Sequence, residues 1–198
     1  MPNWCLNKVL IKVPSNQLLK KLSKALNSKE DLFNKLVPRP PEISEHQNYS
    51  EWEIANWGVK WDATPQDIFW PDKSTVNFEI LTAWVPPIAF YENMERMGYH
   101  VNGYYLEELT GLLGVYYEGN NDTYDYRNLS ADKMVKELPS WVNQLFSLID
   151  HTRSEEKEGD REGGNDLLQG LEDLKKEFDE LVMTETPKTP KTPKKSKK

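Results

Sequence analysis

Residues 75–84, TVNFEILTAW, are the stretch that decides the fold of this 198-residue chain. Its apolar side chains occupy both faces of an extended segment: Val76, Phe78, Ile80 and Trp84 on one, Leu81 and Ala83 on the other. A strand that is apolar on both faces belongs inside a sheet. Two prolines follow at positions 86 and 87, and a proline fits the first turn of a helix. We therefore predict a central strand over 75–84, followed by a helix over about 87–97 that ends at a glycine.

The residues upstream predict a strand and a helix that would pack beside this strand. NWCLNKVLIKV (3–13) has the β-branched and apolar content of a strand. Leucines at helical spacing then predict a helix over about 15–27 with Ser15 as its N-cap. The prolines of LFNKLVPRPPEI (32–43) predict an extended connector. In NWGVKWDA (56–63), Trp57, Val59 and Trp61 alternate, which predicts a further strand.

Downstream, HVNGYYLEEL (100–109) and LLGVYYEGN (112–120) predict two strands of a hairpin joined across Thr110 and Gly111. LSADKMVKELPSWVNQLFSLI (129–149) predicts a helix that begins after Ser130 and is kinked or broken at Pro139. The order of elements predicts an α+β fold, a ferredoxin-like sandwich of β-α-β-β-α-β type with an extra strand. C-terminal helices and a disordered basic tail would follow.

Composition divides the chain into four predicted parts. Residues 1–149 form the ferredoxin-like α+β domain with a terminal helix, 150–165 a flexible acidic linker, 166–183 a short amphipathic helix and 184–198 a disordered tail rich in Lys, Pro and Thr. The short helix carries an apolar seam spaced as in a coiled coil, which predicts self-association. The seam consists of Leu167, Leu171, Leu174, Phe178 and Leu181.

Charge is unevenly distributed along these parts. The formal net charge of −7 combines an acidic stretch through residue 183 with a basic tail. The acidic domain should repel a phosphate backbone, whereas the tail should make weak contacts to nucleic acid. The tail lysines are Lys188, Lys191, Lys194, Lys195, Lys197 and Lys198.

Several classes of protein are disfavoured by what the sequence contains. A single cysteine, Cys5, excludes an internal disulfide and a cysteine-based zinc cluster, and fits a cytoplasmic protein. The N-terminal residues lack the pattern of a secretory leader, and no apolar run has the length of a membrane span. His46, His100 and His151 stand apart without partners at metal-ligand spacing. We therefore expect no metal site, no cofactor and no contact with a membrane.

Five short motifs in order resemble one family. They are MPNWCLNKVLI (1–11), FNKLVPRPPE (33–42), NWGVKWDA (56–63), LTAWVPP (81–87) and LEELTGLLGVYYEG (106–119). Together they resemble the YubB-like family, a group of uncharacterised plasmid and bacteriophage proteins with a ferredoxin-like domain. The resemblance covers roughly residues 1–119 and departs from the family pattern at Val59. It implies a fold and a mobile genetic element, with the host cytoplasm as the location if the chain is phage-encoded. It implies no activity and no catalytic residues.

Three functions remain open on this basis. The first is a non-catalytic accessory protein that recognises a ligand or host partner through an aromatic patch of Trp57, Lys60, Trp61 and Trp84, although the same tryptophans also suit a core. The second is a nucleic-acid-binding protein that uses the sheet face and the basic tail. The third is an enzyme acting on a nucleotide or a small phosphorylated molecule. The absence of a catalytic constellation favours binding over catalysis.

Overall fold

A six-stranded antiparallel sheet organises the computed structural model, which describes residues 2–28, 31–43 and 49–158 of the chain. Strand β1 (Trp4–Lys12) lies inside the sheet, between β3 (Thr75–Ala83) and β4 (His100–Glu107). Strand β2 (Gln66–Phe69) pairs with β3 at one edge. Strands β5 (Leu112–Tyr117) and β6 (Asn120–Asp125) extend the other side, so the order is β2-β3-β1-β4-β5-β6. The α+β class predicted from the sequence is confirmed.

Helices α1 (Asn16–Asn27) and α4 (Ile88–Arg96) form where their periodicity predicts them. The hydroxyl of Ser15 accepts a hydrogen bond from the backbone N–H of Leu18, which makes it the predicted N-cap of α1. Helix α4 begins directly after Pro87 and is followed by Gly98 with a φ of 96°. The predicted hairpin β4–β5 is also present.

Both helices pack on the same face of the sheet, in one apolar core. The strand residues of this core alternate with outward-facing ones, as the period of two requires. Its members include Val9 and Ile11 of β1, Leu22 and Leu26 of α1, Val76 and Phe78 of β3, and Phe90 and Met94 of α4.

The prediction of a strand over NWGVKWDA is wrong. Helix α3 (Tyr49–Trp57) ends at Trp57, and residues 58–61 form bends rather than a strand. Gly58 has a φ of 83°, which stops the helix and turns the chain. The alternation of Trp57, Val59 and Trp61 therefore spans a helix end, and the next strand of the sheet is β2, further along the chain.

The connector 32–43 is not extended throughout, because helix α2 (Leu32–Leu36) occupies its first part. The carboxylate of Asp62 accepts hydrogen bonds from the backbone N–H groups of Phe33 and Asn34 in the first turn of α2. This long-range cap satisfies donors that a five-residue helix otherwise leaves unpaired. Its source is distant in sequence, so local patterns did not indicate it.

Strand β6 was not predicted from the sequence. Its residues NNDTYD contain one aromatic side chain and no aliphatic one, so no apolar alternation marks them. The hairpin β5–β6 turns through Glu118 and Gly119, whose φ values are 46° and 76°. Two adjacent residues of positive φ match the right-handed twist of a tight hairpin. The fold thus has two strands beyond β-α-β-β-α-β, where the sequence predicted one.

The chain divides into two units at residues 138 and 139. Helix α5 (Ala131–Glu137) closes the first. The second contains α6 (Trp141–Phe146) and α7 (Leu148–Glu158), so the helix predicted over 129–149 is broken at Pro139 and interrupted again at Ser147. The amide oxygen of Asn143 accepts the backbone N–H groups of Ile149 and Asp150 and so caps α7.

Helix α7 also covers residues 150–158 of the predicted linker. The rest of that linker, the predicted amphipathic helix 166–183 with its apolar seam, and the basic tail 184–198 lie outside the described residues. Across the described ranges, no helix combines the length and apolar character needed to cross a membrane.

Candidate binding site

The loop after α3 is pressed against the start of α4. A Cβ atom added to Gly58 would lie 3.1 Å from the backbone nitrogens of both Ile88 and Ala89. The side-chain amide of Asn93 donates a hydrogen bond of 2.8 Å to the backbone carbonyl of Asn56. A glycine is therefore required at this contact for its small size as well as for its conformation. The contact fixes the path of residues 58–61 beside α4.

Asp62 holds the other end of the same loop. Its carboxylate accepts three backbone N–H groups, those of Phe33, Asn34 and Ala63, at 2.7–2.8 Å. Burial raises the pKa of Asp62, and these hydrogen bonds oppose that rise. With Gly58 at one end and Asp62 at the other, the segment that carries Lys60 and Trp61 is anchored on both sides.

Trp84 stands in a strained turn where strand β3 ends. Its φ is 66°, and a positive φ is an uncommon conformation for a bulky residue. The backbone N–H of Val85 donates to the carbonyl of Ala83 at 2.8 Å, closing a three-residue turn of the rare positive-φ kind. The N–H of Trp84 itself donates to the carbonyl of Asn3 at 2.8 Å. The strand predicted over 75–84 therefore ends one residue earlier, at Ala83, and the chain turns at Trp84.

Trp61 and Trp84 meet at the surface. Their ring centroids are 5.3 Å apart and the ring planes are inclined by 38°. The exposed fraction is 44% for Trp61, 45% for Trp84 and 42% for the adjacent Val85. We call these three residues the tryptophan patch. Lys60, which is also exposed, lies next to it in sequence.

Further apolar surface lies close to the patch on the sheet face that points away from α1 and α4. Trp4 pairs with Ala83 across β1 and β3, one residue from Trp84, and is 51% exposed. Leu81, 38% exposed, follows on the same face of β3 and pairs with Leu6. Monomeric proteins seldom leave contiguous apolar surface of this kind open to water without using it.

Trp57, by contrast, is a core residue. It is completely buried, and its indole N–H donates a hydrogen bond of 3.0 Å to the carbonyl of Val37. Phe33 and Trp52 pack against its ring at centroid distances of 5.7 and 5.6 Å. Of the four residues predicted to form an aromatic patch, Trp61 and Trp84 come together, Lys60 adjoins them, and Trp57 faces inward.

An ion pair between the partly exposed Arg39 and the buried Glu53 lies on the inner side of α3. The Nε of Arg39 is 3.6 Å from a carboxylate oxygen of Glu53, which is 3% exposed. The guanidinium stands 3.9 Å above the ring of Tyr49 and 5.4 Å from that of Trp57, within the range of a cation–π attraction. Burial raises the pKa of Glu53, while Arg39 acts against that rise. These contacts fasten the proline-rich connector to α3 and thereby enclose Trp57.

Cys5 and two of the four tyrosines on β4 and β5 are buried in the structure. Burial raises the pKa of the Cys5 thiol to about 12, so it carries no reactive thiolate at neutral pH. Tyr105 and Tyr116 are buried, and their hydroxyls donate to Asn121 and Glu95 at 2.7 Å. Tyr104 and Tyr117 lie on the opposite face of the sheet and are partly exposed. No group of His, Cys, Asp and Glu side chains in the described part of the chain is arranged to hold a metal ion.

Sequence reasoning missed the residues that shape the turn at Trp84. Thr82, 2% exposed, and Asn7, fully buried, lie on neighbouring strands beneath it. A polar residue at an inward-facing strand position was the available signal, because buried polar groups require partners.

Comparison with protein-family models, curated proteins and solved structures gives no match to this chain.

Proposed function

We propose that this chain is a non-catalytic binding module that recognises a protein partner through the tryptophan patch. The observation that carries the proposal is the turn at Trp84, whose φ is positive. Such a conformation costs on the order of 1–3 kcal/mol in a residue other than glycine. The turn keeps an indole at the surface, in contact with a second indole. Strain maintained at an exposed aromatic residue is typical of binding sites.

The chemistry of the patch favours an apolar protein surface as its occupant. Tryptophan is enriched among the residues that dominate binding energy at protein interfaces. Trp4 and Leu81 add apolar side chains. Trp61 lies in sequence between the exposed Lys60 and Asp62, whose carboxylate is occupied by backbone N–H groups. The domain carries more acidic than basic groups, and this disfavours a polyanion as the main ligand.

A rough magnitude follows from the exposed area. A tryptophan side chain has up to ~250 Å² to bury, so close to half of it, ~110 Å², remains available on each indole. At about 25 cal/mol per Å², covering that area contributes up to ~2.8 kcal/mol per tryptophan. Half of that contribution already corresponds to about a tenfold change in affinity, so loss of either indole should weaken binding by about tenfold to a hundredfold.

The proposal also covers the fold of the domain and the family of the chain. We propose a ferredoxin-like domain, supported by the order β2-β3-β1-β4 and by helices that connect β1 to β2 and β3 to β4. The five motifs support YubB-like membership, and hence an accessory protein of a bacteriophage or plasmid acting in the host cytoplasm. The residues of the patch come from two of those motifs, NWGVKWDA and LTAWVPP, and the neighbouring Trp4 comes from the N-terminal one.

Selection of peptides from a random phage-displayed library tests the proposal. The library is selected on the full chain, and bound peptides are then titrated against Trp61→Ala, Trp84→Ala and Phe69→Ala. Phe69 is the matched control, since it is an aromatic residue, 38% exposed, that pairs with Asn77 far along β3 from Trp84. We expect peptides whose affinity falls at least about tenfold with either tryptophan variant, is unchanged by the control and varies little with salt.

Two results would overturn this assignment. One is a set of selected peptides that bind both tryptophan variants as tightly as the unaltered chain. The other is binding of a fluorescent single-stranded oligonucleotide that depends on Trp61 and weakens steeply with salt. The latter would favour the nucleic-acid function, in which bases stack on the indoles and the basic tail attracts phosphates.

A further inference from the structure

We infer that Thr82, Asn7 and Tyr91 form a hydrogen-bond relay that positions Trp84 from beneath the sheet. All three are buried, with exposed fractions of 2%, 0% and 0%. They belong to three different elements, β3, β1 and α4, and they connect the core to the strained turn. The consequence for binding rests on the proposed function, whereas the relay and its effect on the turn do not.

The direction of every hydrogen bond in the relay is determined by chemistry. The Nδ2 atom of Asn7 lies 2.9 Å from the carbonyl oxygen of Cys5, which can only accept, so the orientation of the amide is fixed. The Oδ1 atom then faces the hydroxyl of Tyr91 at 3.2 Å, and the tyrosine must donate. The second amide hydrogen points to Oγ1 of Thr82 at 2.9 Å.

Thr82 passes the relay on to the turn. Its hydroxyl accepts from Asn7 and has a single hydrogen to donate. The carbonyl of Val85 lies 2.7 Å away and the carbonyl of Cys5 3.5 Å away, so the hydrogen goes to Val85. Tyr91, Asn7, Thr82 and the Val85 carbonyl therefore form a directional chain, and each bond polarises the next.

The turn needs this side-chain donor because its sequence offers few backbone donors. Pro86 and Pro87 have no N–H group. A proline at 86 also restricts Val85 to extended conformations, so its carbonyl cannot be satisfied by continuing a helix. Together with the bonds from Trp84 to Asn3 and from Val85 to Ala83, the Thr82 hydroxyl holds the residues on either side of the strained φ.

Space for the relay is provided by a glycine on the neighbouring strand. A Cβ atom at Gly103 would lie 2.5 Å from Cε2 of Tyr91. The tyrosine ring therefore packs against β4 at Gly103, where a residue with a Cβ atom would overlap it. In this position its hydroxyl contacts Asn7. Thr82 and Tyr91 are positioning residues: they act on the tryptophan patch through the backbone of the turn and do not touch a partner.

Replacing Thr82 by valine or serine tests the relay. Valine keeps the shape and removes the hydroxyl, and serine keeps the hydroxyl and removes a methyl group. The first readout is the exciton couplet in circular dichroism between the two patch indoles, taken as the part of the signal that Trp61→Phe abolishes. This subtraction removes the contribution of the Trp52–Trp57 pair, whose rings are also in contact.

We expect Thr82→Val to lose more than half of the Trp61-dependent couplet and Thr82→Ser to retain it. The second readout is hydrogen exchange at the Val85 amide, which should become about fivefold faster in Thr82→Val, the factor that one net hydrogen bond gives. A couplet and an exchange rate unchanged in Thr82→Val, or equal losses in the valine and serine variants, would overturn the relay.

Tyr91→Phe is a second variant that tests the relay if Thr82→Val does not fold. It removes one hydroxyl from the far end of the relay and leaves the ring packed over Gly103. We expect faster exchange at Val85 with the ring packing retained, and exchange identical to the unaltered chain would refute the inference. Because neither readout uses a partner, failure of the peptide selection would leave the relay standing, and failure of the relay would leave the selection result standing.

Discussion

Gly58→Ala should destabilise the domain and separate the two patch tryptophans. The glycine has a φ of 83°. An L-residue in that region lies about 1–2 kcal/mol above its preferred conformations. The new methyl group would also lie 3.1 Å from two backbone nitrogens of α4, which cannot rotate away as a side chain would. Overpacking of this kind costs about 1–3 kcal/mol.

The two costs are partly offset by the reduced freedom of the unfolded chain, about 0.4–1 kcal/mol for glycine to alanine. The expected net loss is thus about 1–4.5 kcal/mol in the free energy of unfolding. In a chain of this size, about 1 kcal/mol lowers the melting temperature by about 2–4 °C, so the variant should melt about 2–18 °C lower. Thermal unfolding followed by circular dichroism measures this shift.

Gly119→Ala is the matched control. Its φ of 76° is close to that of Gly58, but the nearest atom to an added Cβ, Oε2 of Glu95, is 4.0 Å away. The control should show the conformational cost alone, about 1 kcal/mol, and leave the Trp61–Trp84 couplet intact. Equal melting temperatures for the two variants would refute the argument that Gly58 is required by close packing against α4.

Two further predictions concern α3 and the residues that follow it. Trp57→Phe should lower the free energy of unfolding by about 2 kcal/mol, because the Val37 carbonyl loses its donor. Trp61→Phe at the surface should change it by less than about 0.5 kcal/mol, and denaturant unfolding distinguishes the two variants. Burial raises the pKa of Glu53 above its ordinary value of 4.5, so its contribution to stability is present below that value and is lost as pH rises through the folded-state pKa. Glu53→Gln should remove this pH-dependent loss of stability. The melting temperatures of the variant and the unaltered chain, measured from acidic to neutral pH, should therefore diverge towards higher pH. Parallel curves would contradict a raised pKa at Glu53.

The parts of the fold predicted correctly are those with a repeated local pattern. Helix α1 has leucines at helical spacing and a serine cap, and strand β3 has apolar residues on both of its faces. Such patterns arise because one face of the helix and both faces of the central strand are buried, and they remain visible whatever the partner is. Strand β6 has almost no apolar side chains and lies at an edge, so its pairing with β5 leaves no apolar trace in the sequence.

The stretch NWGVKWDA misled because two tryptophans four residues apart fit more than one geometry. Trp57 and Trp61 would share a face in a strand as well as in a helix. Which of them is buried depends on Val37, Phe33 and the Asp62 cap, which bring a segment distant in sequence against the end of α3. The sequence therefore identified the aromatic residues of the site but not their division between core and surface.

The burial of Trp57 and the exposure of Trp61 and Trp84 have a structural consequence for the proposed function. Trp57 fixes the end of α3 in the core through its hydrogen bond and ring contacts, so the chain leaves the helix in a fixed direction at Gly58. Trp61 then reaches the surface beside α4, and the opposite indole comes from a turn held by β1, β3 and α4 together. The indoles of Trp61 and Trp84 are thus both held in position in the absence of a partner. Ordering of a free side chain on binding costs about 0.5–1.5 kcal/mol, and a preorganised pair avoids that cost at each indole. Core packing at Trp57 accordingly sets the geometry of Trp61 and Trp84, the pair to which we assign recognition of a partner.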